Sequence, residues 1–411
     1  MKFLFKPEPY LEETLESYLL RLTQENDFES YSIFSSVLWD ILIEHDHEAA
    51  GAFPRMLSRV NVYHASNSSG FRVRALQLIE QMTELPPMRL LSLALMHSAT
   101  KFGQSTAAVF RNGVDIPRAF IRTQGIPVCP QCIHESPYIR QYWHYYPYQA
   151  CHMHHRQLLD HCPGCGGELN YQLSESVTHC SCGYELSHET TPQATYEQQI
   201  LSALVVGVGF ESSNPLMATV NQSMRFGALH WYRQRYRLIS DDAETPSISF
   251  DDALDYFENW PHSLWQDLDE IRVAAEYGQT KAFNRTSFKE VFGSLLLNCG
   301  QLPMRDTSHN FVLKEVQSYL SQLVREHPRT IQPNIADILL SVADAAAFLS
   351  TSYEQVYRLY QEGMLPLAIR PSHHQHLDPY LPAFHLRHIA ELKISRMQSY
   401  KDAMNIYLPA W

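Results

Sequence analysis

Apolar side chains recur every third or fourth residue through much of this chain, the spacing that gathers them on one face of a helix. Leu11, Leu15, Tyr18, Leu19 and Leu22 share such a face in 11–22, and Phe34, Val37, Leu38, Ile41 and Leu42 share one in 31–42. Residues 72–83 and 88–97 predict another helical pair. Leu76, Ile79 and Met82 line the first, Leu91 and Leu95 the second, and Pro86-Pro87 opens the second where proline is tolerated. That pair reads as a helix-turn-helix or as two packed helices. The helical spacing returns over 195–327, interrupted by a polar loop at 240–249. Strand-like runs are few. The pattern predicts a mainly α, multidomain fold, with helical domains around a segment of different character at about 120–187.

Ser187-His188-Glu189-Thr190-Thr191-Pro192 and His327-Pro328-Arg329-Thr330-Ile331-Gln332-Pro333 read as linkers. The expected divisions are 1–118, a helical domain with a candidate helix-turn-helix; 119–187, a tandem zinc-finger region; 195–327, a helical middle domain; and 334–411, a domain resembling a winged helix-turn-helix. In the last, Ser341 and Asp344 approximate a capping box for a helix over 341–349. After the turn Ser350-Thr351-Ser352, a second helix is expected over 353–362, with Val356 and Leu359 inward and Gly363 at its end. A loop with His373, His374 and His376, read as an exposed wing, precedes a final helix at 384–396. The arrangement resembles the excisionase and MerR-type pattern, and that resemblance implies that the second helix enters a major groove. Its outward residues are Tyr353, Glu354, Gln355 and Arg358. Gln355 and Arg358 are the base-reading candidates, whereas Glu354 repels phosphate; packing against protein is the alternative.

A length of 411 residues exceeds one hydrophobic core. No apolar run reaches the ~18–20 residues that cross a bilayer, and the opening Met-Lys-Phe-Leu-Phe-Lys-Pro-Glu does not have the form of a signal peptide. The expected location is the cytoplasm. The formal net charge of -12 opposes a chain whose main work is coating phosphate. One stretch is locally basic: Arg225, Arg233, Arg235 and Arg237 interleave with Trp231, Tyr232 and Tyr236. Arg233 and Arg237 share a helix face and are nucleic-acid candidates. A solvated amphipathic helix is the competing reading, and the preferred one.

Seven of the eight cysteines fall between 129 and 182, a clustering that reads as metal ligands in a reducing compartment. Cys299 stands apart and reads as a buried small hydrophobe. The first set is Cys129-x2-Cys132 and Cys151-x2-His154; the second is Cys162-x2-Cys165 and Cys180-x-Cys182. Each offers the four N/S ligands of a structural zinc site, so two zinc ions per chain are expected. His154 restores the x2 spacing, with His155 as the alternative. Seven thiolates and two zinc ions would move the charge to about -15. Four protein ligands leave no place for an activated water, which argues against catalysis. The deaminase His-x-Glu, the His-Glu-x-x-His helix and the phosphate-binding Gly-rich loop are missing from the sequence. Tyr142-Trp143-His144-Tyr145-Tyr146-Pro147-Tyr148, between the halves of the first set, is read as a small core, with a base-stacking platform as the alternative.

These motifs together resemble the TniQ family. The resemblance rests on Pro9, Thr14-Leu15, Ser17-Tyr18 and Arg21-Leu22; on Cys129-Pro130-x-Cys132, Trp143-His144, Cys151-x2-His154-x3-Leu158 and Cys162-Pro163-x-Cys165-Gly166; and on Phe250, Ala253 and Trp260-Pro261. It implies a non-enzymatic protein that selects target sites for transposition. Some members of the family bind a DNA site themselves; the acidic balance and short length favour the other type the resemblance implies, a homodimer that couples an RNA-guided Cascade complex to an AAA+ regulator and transposase. The net charge of -12 with the mixed face of Glu354 and Arg358 predicts only weak DNA binding of its own. A zinc-containing regulator that reads an attachment site directly is the alternative. A metal-dependent nuclease is a weaker third.

Overall fold

Thr14 sets where the first helix starts. Its Oγ1 accepts the Ser17 N–H at 3.0 Å and caps α1 (Leu15–Glu25). Leu11, expected on that helix, therefore lies before it and is exposed. The structure is a computed structural model that describes residues 3–103, 106–208, 213–237, 250–303, 309–368 and 377–402. The chain divides into two units, Met1–Thr100 with Thr106–Gly209 and Lys101–Ser105 with Phe210–Trp411. Among the described residues 18 α-helices outweigh five short strands, a mainly α multidomain fold. No helix among them is long and apolar enough to cross a membrane.

In the first unit, α1 is followed by α2 (Tyr31–His45), α3 (His47–Ala52), α4 (Ser69–Thr83) and α5 (Arg89–Leu93). Leu15, Leu19, Leu22, Phe34, Leu38, Leu42, Leu76 and Ile79 form their core, each at most 1% exposed. The helix expected over 88–97 stops at Leu93, and the chain turns to β-structure. Strands β1 (Met96–Phe102), β2 (Thr106–Arg111) and β3 (Val114–Pro117) form a sheet in that order. Asn112 (φ 47°) and Gly113 (φ 85°) make the β2–β3 turn, an Asn-Gly hairpin signal that requires two positive φ angles. Beyond it come α6 (Pro130–Glu135), α7 (Tyr171–Ser174) and α8 (Tyr196–Val206).

A polar seam ties α1 to the cysteine-rich segment within this unit. Glu13, fully buried, accepts from Arg21 Nε at 2.8 Å and Nη2 at 2.7 Å, and from Ser17 Oγ at 2.9 Å. Ser17 Oγ in turn accepts the Ile139 N–H at 3.0 Å, and the Thr14 N–H donates to the Ile139 carbonyl at 3.0 Å. Thr14 Oγ1 lies 3.1 Å from the Tyr171 hydroxyl, which lies 3.1 Å from His144 Nε2. Thr14, Ser17, Arg21 and His144, all positions that carry the family resemblance, thus act in one network.

The second unit contains α9 (Pro215–Ala218), α10 (Gln222–Arg237), α11 (Phe250–Glu258), α12 (His262–Tyr277), α13 (Phe288–Phe292), α14 (Leu295–Gly300) and α15 (Phe311–Glu326). Trp231, Tyr232, Tyr256, Phe257, Trp260 and Phe311 make a continuous aromatic cluster with centroids 5.0–6.5 Å apart. Cys299 is fully buried, as expected of a small hydrophobe, and burial pushes its thiol up to about 12. The unit ends with β4 (Leu339–Ser341), α16 (Val342–Leu349), α17 (Tyr353–Gln361), β5 (Pro382–His385) and α18 (Leu386–Asp402). Ser341 and Asp344 form the capping box, Ser352 caps α17, and β4 pairs antiparallel with β5. Gly363 (φ 75°) ends α17. The polar loop at 240–249 and His373, His374 and His376 lie outside the described residues.

Buried His144 makes the first unit acid-sensitive. Burial first, then the charges of Arg122 and Arg111, hold its imidazole at about 3. Its folded pKa lies below the unfolded value of about 6.5. The stabilisation is therefore complete above about pH 6.5 and is lost as the pH falls from there towards 3. Denaturant unfolding at a series of pH values should show a steeper loss of stability below pH 6.5 in the native chain than in His144→Gln. Equal slopes would contradict this.

Candidate metal centres

Two knuckles form the first cluster. Cys129 precedes α6, Pro130 opens its first turn, and Cys132 lies two positions further into that turn. A backbone bridge between Val128 and Leu159 supports the entry. The second knuckle is a hairpin in which the Cys151 N–H donates to the Arg156 carbonyl and the His155 N–H to the Cys151 carbonyl, both at 2.8 Å. This brings His154 Nδ1 to 3.5, 3.3 and 3.4 Å from the sulfurs of Cys129, Cys132 and Cys151. His155 instead takes a left-handed turn (φ 55°) at the end of the knuckle. Hydrogen bonds from the Cys129 and Cys132 thiols, with the N–H groups of His154 and Met153, hold the Cys151 thiol well below its ordinary value.

The second cluster repeats the plan closer to solvent. Cys162 Sγ lies 3.7 Å from Cys182 Sγ, and Cys165 Sγ lies 3.8 Å from Cys180 Sγ. Burial opposes the Cys162 thiolate, but the N–H groups of Cys165 and Gly164 and the thiols of Cys180 and Cys182 bring it down to about 7. Gly164 has no room for a side chain, since a Cβ there would sit 2.6 Å from the Tyr184 ring. Cys165 and Cys182 are exposed, whereas all three cysteines of the first cluster are buried.

In each set of four, the ligand atoms all lie within 4.8 Å of one another, and none of the eight cysteines is in a disulfide. A tetrahedral ion with metal–sulfur bonds of about 2.3 Å sets its sulfurs about 3.8 Å apart. The observed separations fit, so each set of four could hold a metal ion. One supporting residue was not legible from the ligand spacing. Glu135 Oε1 lies 3.0 Å from His154 Nε2, the carboxylate contact that orients an imidazole towards a metal. Its signal is position: Glu135 stands three residues after Cys132 on the same short helix.

The aromatic run packs inward. Trp143 and Tyr148 are fully buried, and only Tyr146 is exposed, beneath the Arg122 guanidinium at 4.8 Å. It is the small core that the sequence favours. Gln355 is half-buried on α17; Arg358 is exposed but pairs with Glu362 at 2.8 Å. Arg233 lies 4.8 Å over the Phe250 ring, and Arg237 is the last residue of α10. Most of that helix is buried from Met224 to Tyr232, including Arg225, which donates to the Thr219 carbonyl at 2.7 Å. It is a core helix rather than a solvated amphipathic one.

Residues 4–158 match the family model described as TniQ, a segment running from the N-terminus through the last ligand of the first cluster. No curated protein matches the chain.

The burial difference between the clusters predicts unequal consequences. Cys132→Ser should strip the first site and lower the melting temperature sharply, because binding energy in such sites is also folding energy. Cys165→Ser should cost distinctly less. Metal analysis should return about two ions per native chain and about one for each variant. A metal-free native chain would contradict the assignment.

Proposed function

We propose, from the match of residues 4–158 to the TniQ family model and the transposition target selection that this family implies, that the chain is a non-enzymatic adaptor, a homodimer that couples an RNA-guided Cascade complex to the transposon's AAA+ regulator and transposase. The observation that carries this reading is the family match over residues 4–158, which takes in α1, the polar seam apart from Tyr171, and the first ligand cluster. Zinc is the ion assigned to both clusters, since closed sets of four sulfur and nitrogen ligands suit structural zinc. In this reading the ions brace the fold and perform no chemistry.

The disposition of the basic residues supports an adaptor over a direct DNA reader. Arg358 is engaged by Glu362, Arg233 by the Phe250 ring, and Arg235 by Asp267 at 3.5 Å. The net charge of -12 favours protein partners. One feature favours the direct reader: the order β4, α16, tight turn, α17, β5, α18 matches the winged helix-turn-helix layout. An adaptor needs no strong single contact, because two linked contacts raise the effective concentration of the second.

Tagged Cascade purified with its guide RNA should retain this chain, and deleting the gene should abolish targeted insertion while Cascade still binds its DNA. Alone, the chain should bind DNA no tighter than roughly micromolar at physiological salt. Failure to co-purify, together with nanomolar binding to one attachment site, would replace the adaptor by the direct reader.

A further inference from the structure

The first unit carries a basic surface for which the metal clusters have no use. It is built on Arg72, a guanidinium only 6% exposed on α4. Its partners are backbone carbonyls: Nε donates to Ala52 at 2.5 Å, and Nη1 to Arg59, Val60 and Asn61 at 2.6, 3.0 and 3.2 Å. It makes no ion pair among the described residues. A buried cation satisfied by dipoles alone keeps its charge, and in a low-dielectric setting that charge acts over a longer range than one in water.

The loop whose carbonyls Arg72 holds, and the end of β3 beside it, carry more positive charge. Arg59 and Arg118 are exposed, and neither has a carboxylate within ion-pair distance among the described residues. The Arg118 guanidinium lies 5.3 Å over the Tyr63 ring, which packs 4.0 Å from the His64 ring. The Tyr63 N–H donates to the Leu95 carbonyl at 3.1 Å, which brings exposed His97, two residues on in β1, to the same place. Burial first, then Arg59, Arg118, Arg72 and His97, hold the His64 imidazole down at about 4, so its neighbourhood is electropositive.

On a chain of net charge -12, two exposed arginines without carboxylate partners among the described residues, sharing the His64 neighbourhood with a buried third, have a clear chemical complement. We propose that Arg59, Arg118 and His97 form a contact surface for the phosphodiester backbone of a nucleic acid. Guanidinium groups suit phosphate because they donate in a planar fork, and Tyr63 holds one of them flat. The surface offers charge without a row of base-reading amides, so it fixes position and not sequence. Guide RNA and target DNA share this chemistry. The inference concerns the chain by itself; its failure would leave the adaptor reading standing, and failure of co-purification would leave this surface standing.

Fluorescence polarisation of the full-length chain with about 20-base-pair duplex DNA, and separately with single-stranded RNA, tests it at about 50 and 200 mM salt. Arg59→Ala/Arg118→Ala should weaken binding to the preferred probe about tenfold or more at the lower salt. It should also flatten the salt dependence by roughly two phosphate contacts. Arg59→Lys/Arg118→Lys should retain most of the binding, and Arg272→Ala, an arginine paired with Asp269 and Glu276, all of it. His97→Glu gives an independent loss at an exposed strand position, should the double alanine variant fold poorly. A larger response with DNA assigns the surface to target DNA, and with RNA to guide RNA; either supports the proposal. No binding to either probe, or unchanged binding in both Arg59→Ala/Arg118→Ala and His97→Glu, would overturn it.

Discussion

Two four-ligand clusters lie in a stretch of chain with little regular secondary structure. Within 119–187 only Pro130–Glu135 and Tyr171–Ser174 are α-helical. The β-pairing there is a set of isolated bridges, and four of them stand next to a ligand: Val128–Leu159 by Cys129, Ala150–Gln157 by Cys151, His161–Glu168 by Cys162, His179–Glu185 by Cys180. A ladder one residue wide cannot offset the conformational entropy of its loop. The knuckles can do so only if their sulfurs and imidazole converge on something, and the observed separations suit a tetrahedral ion.

The inner cluster matters more because of what it touches. Ile139, between its two knuckles, exchanges hydrogen bonds with Thr14 and Ser17 at the start of α1. Glu13 and Arg21 lock that start from the other side, a buried ion pair whose disruption would leave an uncompensated charge. Cluster, seam and helical core therefore stand or fall together, which is the property wanted of a rigid body that docks partners. The outer cluster, exposed at Cys165 and Cys182, has room to vary without disturbing that body.

Much of this was legible in the sequence because ligand spacing is a local property. Cys129, Cys132, Cys151 and His154 lie together as their spacing suggests, as do Cys162, Cys165, Cys180 and Cys182. Capping was equally readable at Ser341 and Asp344, where two side chains three residues apart satisfy helix-end N–H groups. Sheet β1–β3 is hidden from the apolar spacing, which over 88–97 continues the preceding helical pattern, although Asn112-Gly113 is a hairpin signal. Glu135, Tyr171 and Arg72 could not be singled out: their roles depend on partners 19, 157 and up to 20 residues away. The aromatic-basic run at 225–237 misled for a related reason. Its aromatic rings meet Tyr256, Phe257 and Trp260 in a core that one helix cannot display.

In the proposed role this protein transmits a target chosen elsewhere and does not choose one by reading DNA. Insertion-site sequencing after a change of guide tests that most directly. Cells carrying the transposon, this gene and Cascade would be given two unrelated guides in turn, with the chain unaltered. The account predicts that insertions move with the guide, at a constant offset from each new target, and disappear when the gene is removed. Insertions that stay at one sequence whichever guide is present would contradict it.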